Sequence, residues 1–435
     1  MERDGPRENP RFFAPFFGRT PPLPPSTLRT LLLVSLGLFF ENYDIGLVIA
    51  ALPQIAEGLG IAPEDTGFYL STIRLGGIGA FLLVPFADRL GRRRTFIACL
   101  VGMSLGTFAT ALSPSPLAFA LFQMVTRAFL LTAAALAVVI LVEELPAEHR
   151  GGGIALLSIL GGIGFGVGAG LYAAVDYLPF GWRFLYALGA APILLVPFFR
   201  RALRETQRFE RARDAGTAAP GWRRPFVELA GTHPGRAAAV GVAGALGAAG
   251  GIAFFPYTSW FVQHVHGWVP GQYSLLVLGG GLIGALGNVV GGRGSDTFGR
   301  RRVGFLGWSL LPLFVWLFFH GPPESLALGW GLVVLCSSAS GIALRAAASE
   351  LFPTTHRATA SGWLILVETL GWSAGLFLVG FVADSADDIP GVITALSLSC
   401  VAAALVFLLF IPETHRMELE EISPNSRRDA APRVD

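Results

Sequence analysis

Five ionisable side chains lie where the surrounding sequence is almost wholly apolar. LGLFFENYDIGLVIAALPQI carries Glu41 and Asp44, STIRLGGIG carries Arg74, FQMVTRAFLL carries Arg127, and LILVETLGW carries Glu368. A charge at the centre of a bilayer-spanning helix costs roughly 2.5–3.5 kcal/mol on insertion scales, so such residues mark functional sites by default. Glu41 and Asp44 are three apart and share one helical face. Two acids and two arginines at similar depth suggest buried pairs, Asp44 with Arg127 first among them. A carboxylate beside a buried guanidinium takes up and releases a proton when the pair separates. The competing reading is a fixed ion pair that locks two helices together. Either Asp44 or Glu41 is the titrating acid, or Glu41 faces a polar solute. Arg74 and Arg127 suit a carboxylate solute, with a Glu41–Arg74 pair as the alternative.

The elements that hold these residues are set by composition. The chain has 435 residues, 53% hydrophobic and only 14% charged, against about 25% charged in soluble proteins. Twelve apolar runs approach the roughly 20 residues that span a bilayer. They fall near 30–55, 66–87, 95–112, 117–142, 152–174, 182–200, 237–263, 271–292, 303–320, 325–347, 360–383 and 391–411. The expected fold is an all-α membrane protein of twelve transmembrane helices. The first run is too long for a cleaved signal peptide, and no small-residue cleavage site follows it. A net charge of +2 gives no reason to expect a nucleic-acid partner. Cys99, Cys336 and Cys400 sit inside apolar runs, with neither disulfide nor metal spacing. No nucleophile–base or metal constellation appears, so no enzyme, cofactor or metal site is expected.

Arginine sets the expected orientation. The loops after spans 2 and 8 hold Arg89, Arg92, Arg93, Arg94, Arg300, Arg301 and Arg302, and residues 200–236 hold nine more. The alternate loops hold none. The positive-inside rule then puts both termini and the arginine-rich loops in the cytoplasm. Short loops and the absence of N-glycosylation sequons point to a bacterial inner membrane.

The chain also repeats itself. VPFADRLGRRRTF begins at Val84, and GGRGSDTFGRRRVGF places Asp296 208 positions after Asp88. Glu144-Leu-Pro-Ala-Glu-His-Arg150 ends span 4, and Glu350-Leu-Phe-Pro-Thr-Thr-His-Arg357 ends span 10. Arg204-Glu205-Thr206 follows span 6, and Pro412-Glu413-Thr414 follows span 12. Three matched pairs at nearly one offset imply two homologous six-span halves of the same orientation. The expected organisation is a tail over 1–29, a bundle over 30–200, a cytoplasmic linker over 201–236, a second bundle over 237–411 and a tail over 412–435.

D-R-x-G-R-R-R after span 2 resembles the signature of the major facilitator transporters. E-L-P-x-x-x-R-G, L-R-E-T and P-E-T-H-R-M-E-L-E-E-I resemble the sugar-porter and metabolite:proton symporter branches. The resemblance covers about residues 30–425 and implies the two-bundle fold, alternating access and a binding pocket at mid-membrane between the halves. It implies an acid in span 1 and an Arg in span 4 for proton coupling, hence Asp44, Glu41 and Arg127. It also implies a cytoplasmic latch between the halves. Asp88 at a helix C-terminus opposes the helix dipole and needs a cation nearby. Gly91 and Gly299 permit the sharp turn into the next span. Arg92, Glu144, Arg150 and Glu205, with Asp296, Arg300, Glu350, Arg357 and Glu413 in the second copy, complete the expected gate. The competing reading leaves the arginines as topology markers only.

For the solute site the candidates are Arg74, Tyr257 in GGIAFFPYTSWFVQHVHGW, the amide of Asn288, Glu368 and its neighbour Trp372. Arg345 reads as interfacial. The glycine runs of spans 5 and 8 read as helix-packing faces. The paired glutamines of sugar porters are missing from span 7. The reading is proton-coupled uptake of a small organic solute, an organic acid, betaine or aromatic acid, by a monomer whose partners are solute, protons and the lipid bilayer. A sugar:proton symporter, an efflux antiporter and a non-transporting sensor are the alternatives.

Overall fold

A computed structural model describes residues 25–145, 150–206, 209–211, 228–229, 231–232, 234–352 and 357–414. Its twelve helical spans follow the apolar runs. Helix α1 (Pro25–Ala50) continues past Ala51 as Leu52–Leu59, ended by Gly60 in the left-handed region at φ 68°. Helix α2 comes in three pieces, Thr66–Arg74, Gly76–Leu83 and Phe86–Leu90. Helix α3 is Arg92–Ala111, and α4 is Pro116–Glu144. Ser115 caps α4 by accepting from the Ala118 N–H, and Pro116 takes the first helical turn, where no N–H is missed. Helix α5 is Arg150–Tyr172, and α6 is Trp182–Gly189 with Pro192–Ala202.

The second six begin with α7, Pro234–Ile252 with Phe254–His264. They continue as α8 (Pro270–Phe298), α9 (Arg300–His320), α10 (Leu326–Glu350), α11 (Arg357–Val382) and α12 (Ile389–Ser397 with Ser399–Phe410). Eleven of these stretches are long and apolar enough to cross a membrane, and α5 adds a shorter apolar stretch, Leu156–Tyr172. Backbone hydrogen bonds made within each helix satisfy the polar main chain where lipid offers none.

Helices pack without a hydrophobic driving force inside a bilayer, so close contact needs small residues. A Cβ on Gly164 of α5 would strike the Phe39 carbonyl of α1. One on Gly371 of α11 would strike the Ala245 carbonyl of α7. In the glycine run of α8, Gly280, Gly287 and Gly291 likewise pack closely, on α10, while Gly279, Gly281 and Gly292 face open space. Span 8 is the most open of all, with only 28% of its apolar window buried.

The first six helices and the last six meet along three seams. Helix α2 lies on α11: Ser71 and Ser373 hydroxyls are 2.9 Å apart, Phe68 meets Phe377 edge-on, and Gly77 faces Thr369. Helix α1 meets α7, where Ser259 donates to the Ala50 carbonyl at 2.5 Å. Helix α5 meets α8 through Tyr172 and Tyr273. All three seams lie toward the arginine-poor face. Beyond Gly77, α2 exposes Leu82, Phe86 and Leu90, and α11 exposes Ile365.

Candidate functional site

At the arginine-rich face two charge clusters form, and each stays inside its own half. Helix α3 begins at Gly91, held at φ 103°, and its first N–H groups need acceptors. Glu205, just past α6, supplies one: its carboxylate accepts from the Arg93 N–H at 3.1 Å. In the second half Gly299 has φ 100°, and Glu413 accepts from the N–H groups of Arg300 at 2.9 Å and Arg301 at 3.2 Å. Arg92 reaches Asp88 at 3.0 Å and Glu143 at 3.3 Å, while Arg300 reaches Asp296 at 2.5 Å and Glu350 at 2.9 Å. Thr206 donates to Glu143 and Thr414 to Glu350, each at 2.5 Å.

At the end of α4 the partner of Arg92 is Glu143, one residue before the expected Glu144; one residue turns a helix by about 100°, so adjacent glutamates address different neighbours. Among the described residues the clusters show no ion pair from one half to the other. The side chains of Arg150 and Arg357 lie outside the described residues.

Two of the membrane-depth residues, Arg74 and Arg127, line a small cavity between the halves. It is lined by Ile45 and Val48 of α1, Leu70 and Arg74 of α2, Arg127 of α4, Pro256 of α7 and Leu376 of α11, among others. The expected Asp44–Arg127 ion pair is not formed. Asp44, 3% exposed, instead accepts from Gln123 Nε2 at 3.1 Å. Gln123 stands one turn before Arg127 on α4 and occupies the place nearest the carboxylate. Arg127 is 6% exposed and makes no hydrogen bond or ion pair among the described residues. It stays in electrostatic reach of both Glu41 and Asp44. Nor do Arg74 and Glu41 pair: the Arg74 guanidinium lies over the Trp372 ring at 5.5 Å, an attraction worth about 0.5–2 kcal/mol. Two guanidinium groups thus line one cavity without a carboxylate bound to either.

The remaining candidates separate. Glu368 pairs with Arg345 at 3.6 Å, so Arg345 reaches across from α10 to α11. Sequence reading missed this pair because the two residues sit on different helices, 23 positions apart along the chain. Tyr257, 1% exposed, is hydrogen-bonded to Thr66 at 2.8 Å and ties α7 to the start of α2. Asn288 is exposed, a correction to its reading as a buried amide; α8 turns its glycines Gly284, Gly287 and Gly291 to α10 and leaves Asn288 off that contact.

A polar seal at the arginine-poor face also went unread. Gln54 donates to Gln263 Oε1 at 2.9 Å, Tyr172 donates to Gln54 Oε1 at 2.8 Å, and Gln263 donates to Tyr172 and Ser259 at 2.8 Å each. The four residues come from α1, α5 and α7. Their signal was present in the recurrence of a glutamine after each half's first span, 209 positions apart.

A two-bundle helical membrane protein with a charged cavity at its centre is the architecture of a carrier. Residues 34–268 and 240–428 match the model of the Major Facilitator Superfamily, and the chain belongs to that superfamily. It is 28% identical over 414 residues to a gallate transporter of Pseudomonas putida, covering 87% of this chain and 90% of that one. It is 29% identical over 168 residues to a niacin transporter of Acinetobacter baylyi, covering 38% of each. A crystal structure of a D-xylose–proton symporter superposes with a TM-score of 0.71 at 17% identity, covering 89% of this chain and 98% of that one. The chain is a transporter and an integral membrane protein.

Proposed function

We propose that this protein carries a small aromatic carboxylate across a bacterial inner membrane by alternating access, coupled to protons. The observation that carries the reading is the pair Arg74 and Arg127, both lining the cavity and neither holding a carboxylate. An unpaired guanidinium is costly in an apolar site, and an anionic solute supplies the missing partner. Trp372 lies against the Arg74 guanidinium and holds it at the cavity. The likeness to gallate and niacin transporters supports the same class. A pentose or hexose fits less well, because Gln54 and Gln263, the glutamines best suited to its hydroxyls, bond each other in the seal.

In this reading the bundles over 30–200 and 237–411 rock about the cavity, and the arginine-rich face is cytoplasmic. The structure is then an inward-facing state, sealed on the outside by Gln54, Tyr172, Ser259 and Gln263. Asp44 and Glu41 carry the coupled proton. The chain acts as a monomer.

The test is uptake of radiolabelled gallate and nicotinate into proteoliposomes with an imposed, inside-alkaline pH gradient. Gradient-driven accumulation is expected, and its loss in Asp44→Asn. Uptake of D-xylose but of neither acid would overturn the substrate class. Acid uptake indifferent to the gradient would overturn proton coupling.

A further inference from the structure

Asp44 changes its charge, in the reading above, inside a site that holds no guanidinium against it. The groups in electrostatic reach are Glu41 and Tyr43 on its own helix, Arg127 on α4 and Tyr186 on α6. Among the described residues, Asp44 makes no hydrogen bond or ion pair with a group of α5 or α7, which also pack on α1. The group in contact is the amide of Gln123, which is fully buried. Its Nε2 donates to Asp44 Oδ1 at 3.1 Å and to Thr110 Oγ1 of α3 at 3.4 Å. Thr110 in turn donates to the Gly106 carbonyl at 2.9 Å, so it accepts from the amide. The other end of the amide, Gln123 Oε1, is buried and has no hydrogen-bond partner.

A buried acceptor without a partner costs about 1–3 kcal/mol and asks for a reason. The chemistry of the amide gives one. A primary amide is a donor at one end and an acceptor at the other, whereas guanidinium is donor only. An ionised carboxylate needs a donor, and a protonated carboxyl needs an acceptor for its O–H. Turning the Gln123 amide over exchanges one for the other on the same spot. Thr110 follows by rotating its hydroxyl proton from the Gly106 carbonyl to the amide oxygen.

We propose that Gln123 is a positioning residue for the proton on Asp44: it holds the carboxylate through Nε2 and accepts from the carboxyl through Oε1. The proton arrives from water at one face of the membrane, bonds to an Asp44 oxygen, and leaves from it to water at the other. Gln123 takes no proton itself. Arg127, one turn along the same helix, is left free for the solute. This assignment rests on the proton-coupled reading of Asp44, and its test is separate from transport.

The test is infrared difference spectroscopy of the full chain in nanodiscs, titrated through pH 4–9, with the carboxyl band assigned by its loss in Asp44→Asn. Gln123→Leu removes both a charge-assisted bond to the ionised form and a weaker neutral bond to the protonated form, so the Asp44 midpoint should rise by the difference, about one pH unit. Gln123→Met, closer in length, serves if the leucine variant does not fold. A general loss of packing would lower the melting temperature without moving the midpoint. An unmoved midpoint in both variants overturns the assignment, as does a wild-type Asp44 that does not titrate. Proton uptake with solute, followed in parallel with a pH-sensitive dye, separates the two ideas. A moved midpoint without proton flux leaves Gln123 in its role and overturns proton coupling.

Discussion

Alanine at Gly299 should unseat the start of α9, and the cost follows from its backbone angles and two close contacts. The backbone stands at φ 100°, ψ 148°, a region nearly exclusive to glycine, where a side chain costs about 1–3 kcal/mol. A Cβ there would lie 2.5 Å from Glu413 Oε2 and 3.0 Å from its carboxyl carbon, so the carboxylate must leave. It then gives up the N–H groups of Arg300 and Arg301, each cap being worth about 0.5–2 kcal/mol. The sum is about 2–7 kcal/mol. Gly292→Ala is the control, since a Cβ there meets nothing within 4 Å and the residue is helical; it should be neutral or stabilising by about 0.5–1 kcal/mol. Thermal unfolding in nanodiscs, read by tryptophan fluorescence, compares the two. Gly299→Ala should melt several degrees lower. In a Glu413→Ala background its effect should shrink to the backbone share. Equal melting of Gly299→Ala and Gly292→Ala would refute the reasoning.

Three further outcomes can be checked. Glu143→Gln should lower the melting temperature by the loss of about 1–2 kcal/mol, because Arg92 and Thr206 both bond its carboxylate; Glu350→Gln should match it, as the same bonds recur there. Gln263→Ala removes bonds to Gln54, Tyr172 and Ser259 and should increase labelling of a cysteine placed in the cavity by an impermeant reagent from the arginine-poor face, by about tenfold for 1.4 kcal/mol. Arg345→Ala should destabilise more than Glu368→Gln, because it strands a carboxylate 9% exposed, whereas Arg345, 58% exposed, is hydrated when alone; the two melting curves decide.

The fold was legible because its signals are collective. Twelve apolar runs, one arginine bias and a 208-residue offset each rest on many positions, and tertiary packing does not alter them. Most of the charged residues that cluster at the arginine-rich face could be picked out, yet their connections could not. The repeat offset pairs Asp88 with Asp296 and Glu205 with Glu413, but Glu143 follows from helical phase at the end of α4, where one position decides. Inside the membrane, charge counting suggested pairs by depth alone. It missed that Gln123 outreaches Arg127 to Asp44, and that Arg74 prefers the face of Trp372. Both depend on which side of a helix meets which neighbour. The Gln54–Gln263 seal was missed because neutral amides in apolar runs carry no evident insertion cost to draw attention to them.

The central claim is that Arg74 and Arg127 form an anion site, and a ligand pair that differs by the charge of one carboxylate and a methyl group tests it most directly. Calorimetric titration of the purified protein with gallate and with methyl gallate, in wild type and in Arg127→Gln, isolates the carboxylate. We expect gallate to bind at least ten- to a hundredfold tighter than its ester in wild type, the worth of one or two charge-assisted bonds, and that preference to collapse in Arg127→Gln. Equal affinity for acid and ester, or a preference unchanged by Arg127→Gln, would contradict it.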